Sequence, residues 1–530
     1  MTTRTLTFGS TSYPLVLPNT RDPRLHVAAV IITIHVLGQV ALGFQVSVPQ
    51  ILAAILTCAV IEVGLTFRST RSIVWPASAM LTGSGVALIL RVVGTPLGDH
   101  WTFYAWYVFA GVAGASLLTK YVIRYHGSHV FNPSNIGLVV AFVVLGTSRV
   151  EPLDFWWAPL AIPMILAYAV IISGGLLITR RLHLLALGAT SWVALTIGVS
   201  ILAGSGHCMT TRWAFAPVCG VDFVRVIVTS PEVLIFLFFM MTDPKTVPVG
   251  RVGRVVFGLL VAIASTLLMA PQTNEFGTKV GLLAGLVVVC AARPLLDRIL
   301  PEPKSAADQV GHFASRLVTG GNPGIGVVRA ALRVGVIGVA VLFVGVGIVL
   351  AGTPAREVAT PDAAEILNRV PPEIDPSTFP TIQVSQAVTD WNHQIDGSGA
   401  QAILLTLAQN LELENQALLQ ADSTILTAVD HGDRLIEMQG RLATARTTGT
   451  TVIDHYQFAS ATVSLLVPFG KQTGLSLGFG SEGTVIEETY NTAGVLQSRR
   501  TSPFTLTFVV SRPLGTRWLD VAVLPASAGS

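Results

Sequence analysis

Charge is scarce in this chain. Only 12% of its 530 residues are Asp, Glu, Lys or Arg, against 51% hydrophobic residues and a mean hydropathy of +0.64. Soluble globular proteins carry roughly 25% charged residues, so lipid must solvate much of this molecule. A net charge of +3 is small for the length and gives no reason to expect nucleic acid as a partner. Cysteine is sparse too, with four in all and no cluster of the kind that holds iron–sulfur. No phosphate-binding P-loop, dinucleotide fingerprint or nucleophile elbow occurs, which argues against a self-contained active site of soluble type. No cleavable leader is expected either: residues 1–25 are polar and mixed, and the first apolar run is already long enough to span.

Long apolar runs dominate residues 1–352, whereas 353–530 have the composition of a water-soluble domain. Runs of about 17–25 residues predict spans near 26–44, 49–66, 72–93, 103–123, 132–147, 156–178, 183–204, 226–242, 254–271 and 277–293, with an eleventh near 330–352. Lys and Arg set the orientation. With the N-terminus inside, Arg4, Arg21, Arg24, Arg68, Arg71, Lys120, Arg124, Arg180, Arg181, Lys245, Arg251 and Arg254 fall on the inner side; Arg91, Arg149, Arg212, Arg225 and Lys279 fall outside. The predicted topology is N-in and C-out, in the plasma membrane. Cys208 and Cys219 then share an outer loop, where an oxidising compartment favours a disulfide over two unpaired thiols. Cys58 and Cys290 lie in spans as small apolar residues.

Two stretches repeat with opposite polarity. "RSIVWPASAMLTGSGVAL" from Arg71 and "RVIVTSPEVLIFLFFMM" from Arg225 both read Arg-x-Ile-Val, then Pro, then a membrane segment. The first enters from inside and the second from outside. "FNPSNIGLVV" (131) and "PQTNEFGTKVGLL" (271) behave likewise. Pairing spans one to five with six to ten therefore predicts an inverted repeat, an architecture whose broken helices meet at a central site. In "SPEVLIFLFFMMTDPKTVP", Pro231 suits a first helical turn and Glu232 its positive end. Asp243-Pro244 stops that helix after about 15–18 Å at 1.5 Å per residue, roughly half a bilayer. Backbone broken at that depth must line protein or a cavity. The alternative is that Asp243 caps a cytoplasmic turn with Pro244 at its first position.

Further candidates lie close to these breaks. Asn132, Pro133, Ser134 and Asn135 can end one segment and cap the next, leaving amides for an anion; plain capping, with His126 and His129 hydrated nearby, is the competing reading. The spacing of those histidines matches no strong metal pattern. Glu62, near the inner end of the second span, either marks an ion pathway or turns to the surface beside Arg68 or Arg71.

"HVFNPSNIGL" and "FFMMTDPKTVP", set in ten spans of two inverted halves, resemble the RnfD/NqrB family. This is the membrane subunit shared by the Rnf electron transport complex and the sodium-pumping NADH:quinone reductase. The resemblance covers roughly residues 25–300 and is closer to an actinobacterial branch found beside enediyne antibiotic gene clusters. It implies a flavin or ion site built from Thr242, Asp243 and Pro244 with Asn132, Pro133 and Asn135, and an ion pathway through Glu62 and Asp243. It also implies FMN or riboflavin as cofactor and other membrane or redox subunits as partners. In the family one FMN is esterified to a Thr in a Ser-Gly-Ala-Thr-type motif. The nearest match here, Leu187–Thr190, lacks the Ser/Thr and the upstream acid, so any flavin is expected to be noncovalent. Lys245 replaces a small residue usual after Asp-Pro.

The tail reads as a Pro-rich linker over 353–380 and an extracytoplasmic domain over 381–526. Helical patterns at 382–395, 399–420 and 422–447 precede the strand-like runs "HYQFASATVSLLVPFG", "GLSLGFGSEGTVIEETYN", "PFTLTFVVSRP" and "RWLDVAVLPA". That order suggests an α+β cone of NTF2-like or cystatin-like shape, which binds a partner or apolar ligand. No acid–base pair stands out in it. The expected whole is an α-helical polytopic membrane protein with a ten-span inverted repeat (26–300), a cytoplasmic linker (301–329), an extra span (330–352) and the outer domain. Its expected role is a redox-linked electron-transfer or ion-translocating subunit. The alternative is a transporter or channel-like scaffold for a hydrophobic metabolite; an anchor that merely displays the tail ranks last.

Overall fold

A computed structural model describes residues 2–8, 11–20, 22–96, 99–147, 149–153, 162–209, 218–320, 327–355, 374–391, 395–466, 476–511 and 517–525. Arg21, Arg212, the start of the sixth expected span and most of the Pro-rich linker lie outside these residues. The chain forms two compact units: Met1–His207, Cys219–Gln272 and Phe276–Thr353 make the first, and Cys208–Val218, Thr273–Glu275 and Pro354–Ser530 the second.

The first unit is mainly helical, with the short strands β1 (Thr2–Phe8), β2 (Thr11–Leu17) and β3 (Ile73–Val74); β8 (Cys208–Met209) and β9 (Val218–Cys219) are two residues each. Its helices are α1 (Pro23–Val40), α2 (Val48–Thr70), α3 (Ala77–Ile89), α4 (Trp106–Val122), α5 (Pro133–Leu145), α6 (Ile162–Arg181) and α7 (Leu185–Gly204). They continue as α8 (Gly220–Thr229), α9 (Pro231–Ile235), a π-turn at Phe236–Met240, α10 (Arg251–Met269), α11 (Glu275–Ala291), α12 (Arg293–Ile299), α13 (Val310–Thr319) and α14 (Val327–Ala351). Pro and a capping oxygen begin several of them, as the sequence requires. Asp22 caps α1 ahead of Pro23, Ser47 and Gln50 form a capping box on α2, Asn132 caps α5 ahead of Pro133, and Ser230 caps α9 ahead of Pro231.

Among the described residues, seven helical stretches are long and apolar enough to cross a membrane, and the pair α11 and α12, bent by 54°, makes an eighth if it counts as one span. This is fewer than the eleven runs counted in the sequence. The difference lies in α3 and α5, which have 13 residues each, and α4, which has 17. Pro76 holds the start of α3 to Ala77, and both α3 and α5 end early, at Ile89 and Leu145. Leu90–Val92 (β4) and Val150–Pro152 (β7) then pair as an antiparallel ladder with Arg91 opposite Glu151. Two short helices thus finish in shared extended backbone whose polar groups satisfy one another, the condition for broken backbone away from water.

The second unit, over 374–525, is α+β. A five-stranded sheet runs in the order β10 (Ile382–Val384), β11 (Thr450–Leu466), β12 (Ser476–Asn491), β13 (Leu496–Ser511) and β14 (Leu519–Pro525). All neighbours are antiparallel except β10, which lies parallel to β11. The expected helix at 382–395 is therefore corrected at its start: its first residues form an edge strand, and among the described residues a helix covers Gln386–Trp391. Alternation of Ile382 and Val384 suits a pleated edge better than a helical stripe. The long helix Ser398–Gln420 (α16, after α15 at Gln386–Trp391) lays Ile403, Leu404, Leu407 and Leu411 against Phe479, Phe504 and Phe508 of the sheet. The pattern at 422–447 divides into Ser423–Val429 (α17) and Gly432–Thr448 (α18), interrupted at Asp430-His431.

Candidate functional site

A cavity of about 500 Å³ opens inside the helical unit. Its wall takes the first turns of α1, α3 and α5 (Arg24, Ser78, Pro133), the last turns of α4 and α6 (Lys120, Ile178) and the C-terminal half of α2 (Glu62). Because successive helices run in opposite directions, these ends all lie on one side of the bundle. The cavity extends along α3 to Leu88 and Ile89 and is closed by Phe238, Phe239 and the turn Thr242–Lys245.

The wall nearest the turn is made by two segments more than a hundred residues apart. A tight hairpin, Arg124–Tyr125 (β5) and Ser128–His129 (β6), turns through His126 and Gly127 at φ +46° and +78°, the left-handed pair a two-residue loop demands. It delivers His129, which is 8% exposed, to Asp243: Nε2 lies 2.9 Å from Oδ2. The other Asp243 oxygen, Oδ1, accepts the Lys245 amide at 3.0 Å. Asp243 therefore caps its own turn and reaches the cavity partner at once; the two sequence readings describe the same residue. Asn132 caps α5 by accepting the Asn135 amide at 3.2 Å, and its Nδ2 donates to the Met240 carbonyl at 3.0 Å. Thr242 Oγ1 donates to the Phe238 carbonyl. Both carbonyls belong to the π-turn, where the Met241 amide bonds Phe236 instead of its usual i−4 partner.

Opposite this wall lies a second polar group. Lys120 Nζ sits 2.9 Å from Glu62 Oε1 and 3.4 Å from Ser78 Oγ, and the Tyr121 hydroxyl also donates to Glu62. Glu62 thus faces a cavity partner 58 residues away, not Arg68 or Arg71. At the rim, Arg24 clamps Asp22 at 2.6 Å and holds its carboxyl below the usual range. Of the six expected ligand-binding residues, Asn132, Pro133, Thr242, Asp243 and Pro244 line the cavity. Asn135 does not: its Nδ2 donates to the Leu283 carbonyl at 3.0 Å, tying α5 to α11.

Chemically the cavity combines apolar walls, two aromatic rings and three acid–base pairs. Such a place suits a flat, largely apolar ligand with a polar edge. Its own residues can hold or pass a proton between His129 and Asp243. Thr190, the nearest counterpart of a flavin-bearing Thr, lies within α7 and does not line it.

Two buried ion pairs escaped the sequence reading. Arg91 and Lys279, which the predicted topology puts on the outer side, are 5% and 6% exposed. Arg91 lies 3.8 Å from Glu151, and Lys279 lies 3.3 Å from Glu232, the residue expected only to favour a helix start. Cys208 and Cys219 are disulfide-bonded, while Cys58 and Cys290 are buried thiols. Neither a protein-family model nor a curated protein matches this chain.

Proposed function

We propose that the chain is the membrane subunit of a redox-linked electron-transfer or ion-translocating system, and that its cavity binds a flavin noncovalently. The observation that carries this is the meeting of the two resembling motifs. Asn132 and His129 from one reach Met240 and Asp243 of the other across a single cavity wall. The fit is chemical. Phe238 and Phe239 suit an aromatic ring face, and Lys245, Thr82 and Ser134 suit its polar rim. A bound flavin would supply one- or two-electron transfer. The protein's own part is to orient the ring, exclude water from its buried edge and hold a proton between His129 and Asp243.

The inverted-repeat reading is supported by how each half ends its short segments. In the first half β4 and β7 join the ends of α3 and α5. In the second, Arg293 after α11 donates to the Thr246 carbonyl after the π-turn. The helix-then-sheet order over 386–525 supports an NTF2-like or cystatin-like outer domain. N-in, C-out insertion and further redox subunits as partners belong to the same reading.

The test is purification in mild detergent followed by the visible absorbance of the protein and the fluorescence of its denatured extract. A flavin spectrum is expected; a colourless, flavin-free preparation of folded protein would sink this reading. A second reading, a scaffold that moves or shields a small hydrophobic metabolite, is favoured by the absence of a flavin-bearing Thr on the wall. Cells lacking the gene would then retain the metabolite, and unchanged export would count against it.

A further inference from the structure

Three carboxylates converge inside the C-terminal unit. Glu414 of α16, Asp430 between α17 and α18, and Asp520 of β14 are 2%, 1% and 2% exposed, and their oxygens lie within 4.8 Å of one another. Backbone fixes the meeting: Asp430 bridges to Asp520, and the His431 amide donates to the Asp520 carbonyl at 2.8 Å. The cluster occupies the boundary between the apolar core under the sheet and a second core of Leu418, Leu426, Met438 and Leu442.

The charged groups facing it are already committed. From α18, Arg434 Nε donates to Glu414 Oε1 at 2.8 Å, another nitrogen holds the second Glu414 oxygen, and a third lies 3.0 Å from Glu437. Ahead of β14, Arg517 donates to Asn410 Oδ1 at 2.9 and 2.6 Å, and Asn410 Nδ2 donates to Asp520 Oδ1 at 3.0 Å. The other titratable neighbours are Tyr456 of β11, whose hydroxyl burial lifts to about 12, and His431 beside Asp430, which burial pushes below the ordinary imidazole range. Both oxygens of Asp430 and Oδ2 of Asp520 meet no donor among the described residues. Ionised carboxylates only accept, and like charges this close in a dry site cannot all persist. Hydrogen between the carboxyls supplies the missing donors. Burial, then Glu414, pushes both Asp430 and Asp520 well above the ordinary carboxylate range.

We propose that Asp430 and Asp520 hold bound protons against the Glu414 carboxylate as one buried latch, and that alkalinisation, by removing them, loosens the seam of α16, α17, α18 and β14. The folded unit holds protons that the unfolded chain releases near pH 4. Stability from the latch is therefore full below that value and is lost as pH rises toward the folded value. A hard divalent cation is the competing occupant, but it would lie against the Arg434 guanidinium that already spans Glu414.

Hydrogen–deuterium exchange of the full-length protein in detergent tests this, after correction for intrinsic exchange, between about pH 6 and pH 9. Peptides from 423–448 are expected to lose protection at the alkaline end, by up to about tenfold per pH unit for each proton lost. Asp430→Asn and Asp520→Asn, each supplying a permanent donor, should hold that protection; either folded variant suffices. Wild-type protection that is flat with pH, or an equal alkaline loss in the variants, would overturn the latch. So would protection that a chelator removes and added Ca²⁺ restores, which would make the site a cation site.

Discussion

Glu62 illustrates how much one side chain's role depends on a partner the sequence hides. Alone in an apolar run it is an expensive charge, and its nearest cations in sequence are Arg68 and Arg71. The fold instead gives it Lys120, with exposures of 17% and 14% for the two side chains. Glu62→Gln should therefore cost about 3–5 kcal/mol by stranding a buried ammonium, read as a lowered thermal midpoint in detergent. Glu62→Gln combined with Lys120→Met should regain most of it. A single variant as stable as the parent would mean that water or lipid headgroups already compensate the lysine. Asn132 and Asp243 were legible because capping chemistry is local: each precedes a proline or a turn that needs its oxygen. His129 was not, since its partner lies 114 residues away. The buried carboxyls of the C-terminal unit left a faint mark. Asn410 and Glu414 sit on the same stripe of α16 as Leu407, Leu411 and Leu418, where polar residues have no place unless something meets them.

At the scale of elements, the segment from Pro231 to Met240 was the most readable. The spacing from the helix-starting Pro231 to Asp243-Pro244 fixed its length, but the π-turn inside it has no sequence signature. Such turns behave as one extra residue accommodated locally within a helix, often at functional sites. Deleting one of Phe238 or Phe239 should restore i−4 bonding while leaving His129 beside Asp243. Ligand binding should weaken, since one ring of the cavity wall is gone, while the thermal midpoint changes little; a large loss of stability would show that the turn is structural. Asn132→Ala should cost about 1 kcal/mol through the lost cap, and more where the Met240 carbonyl is left unmet. The pairing of β4 with β7 was invisible, because the apolar run 72–93 looks the same whether its last residues are helical or extended. Parallel pairing of Ile382–Val384 with β11 was hidden for the same reason: three residues do not establish a period.

Across the whole molecule, composition divides the chain into an oily and a watery part, and the helical unit and the α+β unit follow that order. What composition could not supply is which apolar runs form one long helix and which break into shorter pieces. Under the N-in, C-out reading, protease added to the outer face of intact cells should trim residues within 374–525 and spare the helical unit. Trimming only after the membrane is opened would reverse the orientation. The bond between Cys208 and Cys219 adds a consequence for anyone producing this protein. Thiols oxidise on one face of a plasma membrane and stay reduced on the other. Each finished copy then carries a chemical record of the side on which that loop matured, and the fraction of copies with free sulfhydryls at those two positions would measure how many were inserted upside down.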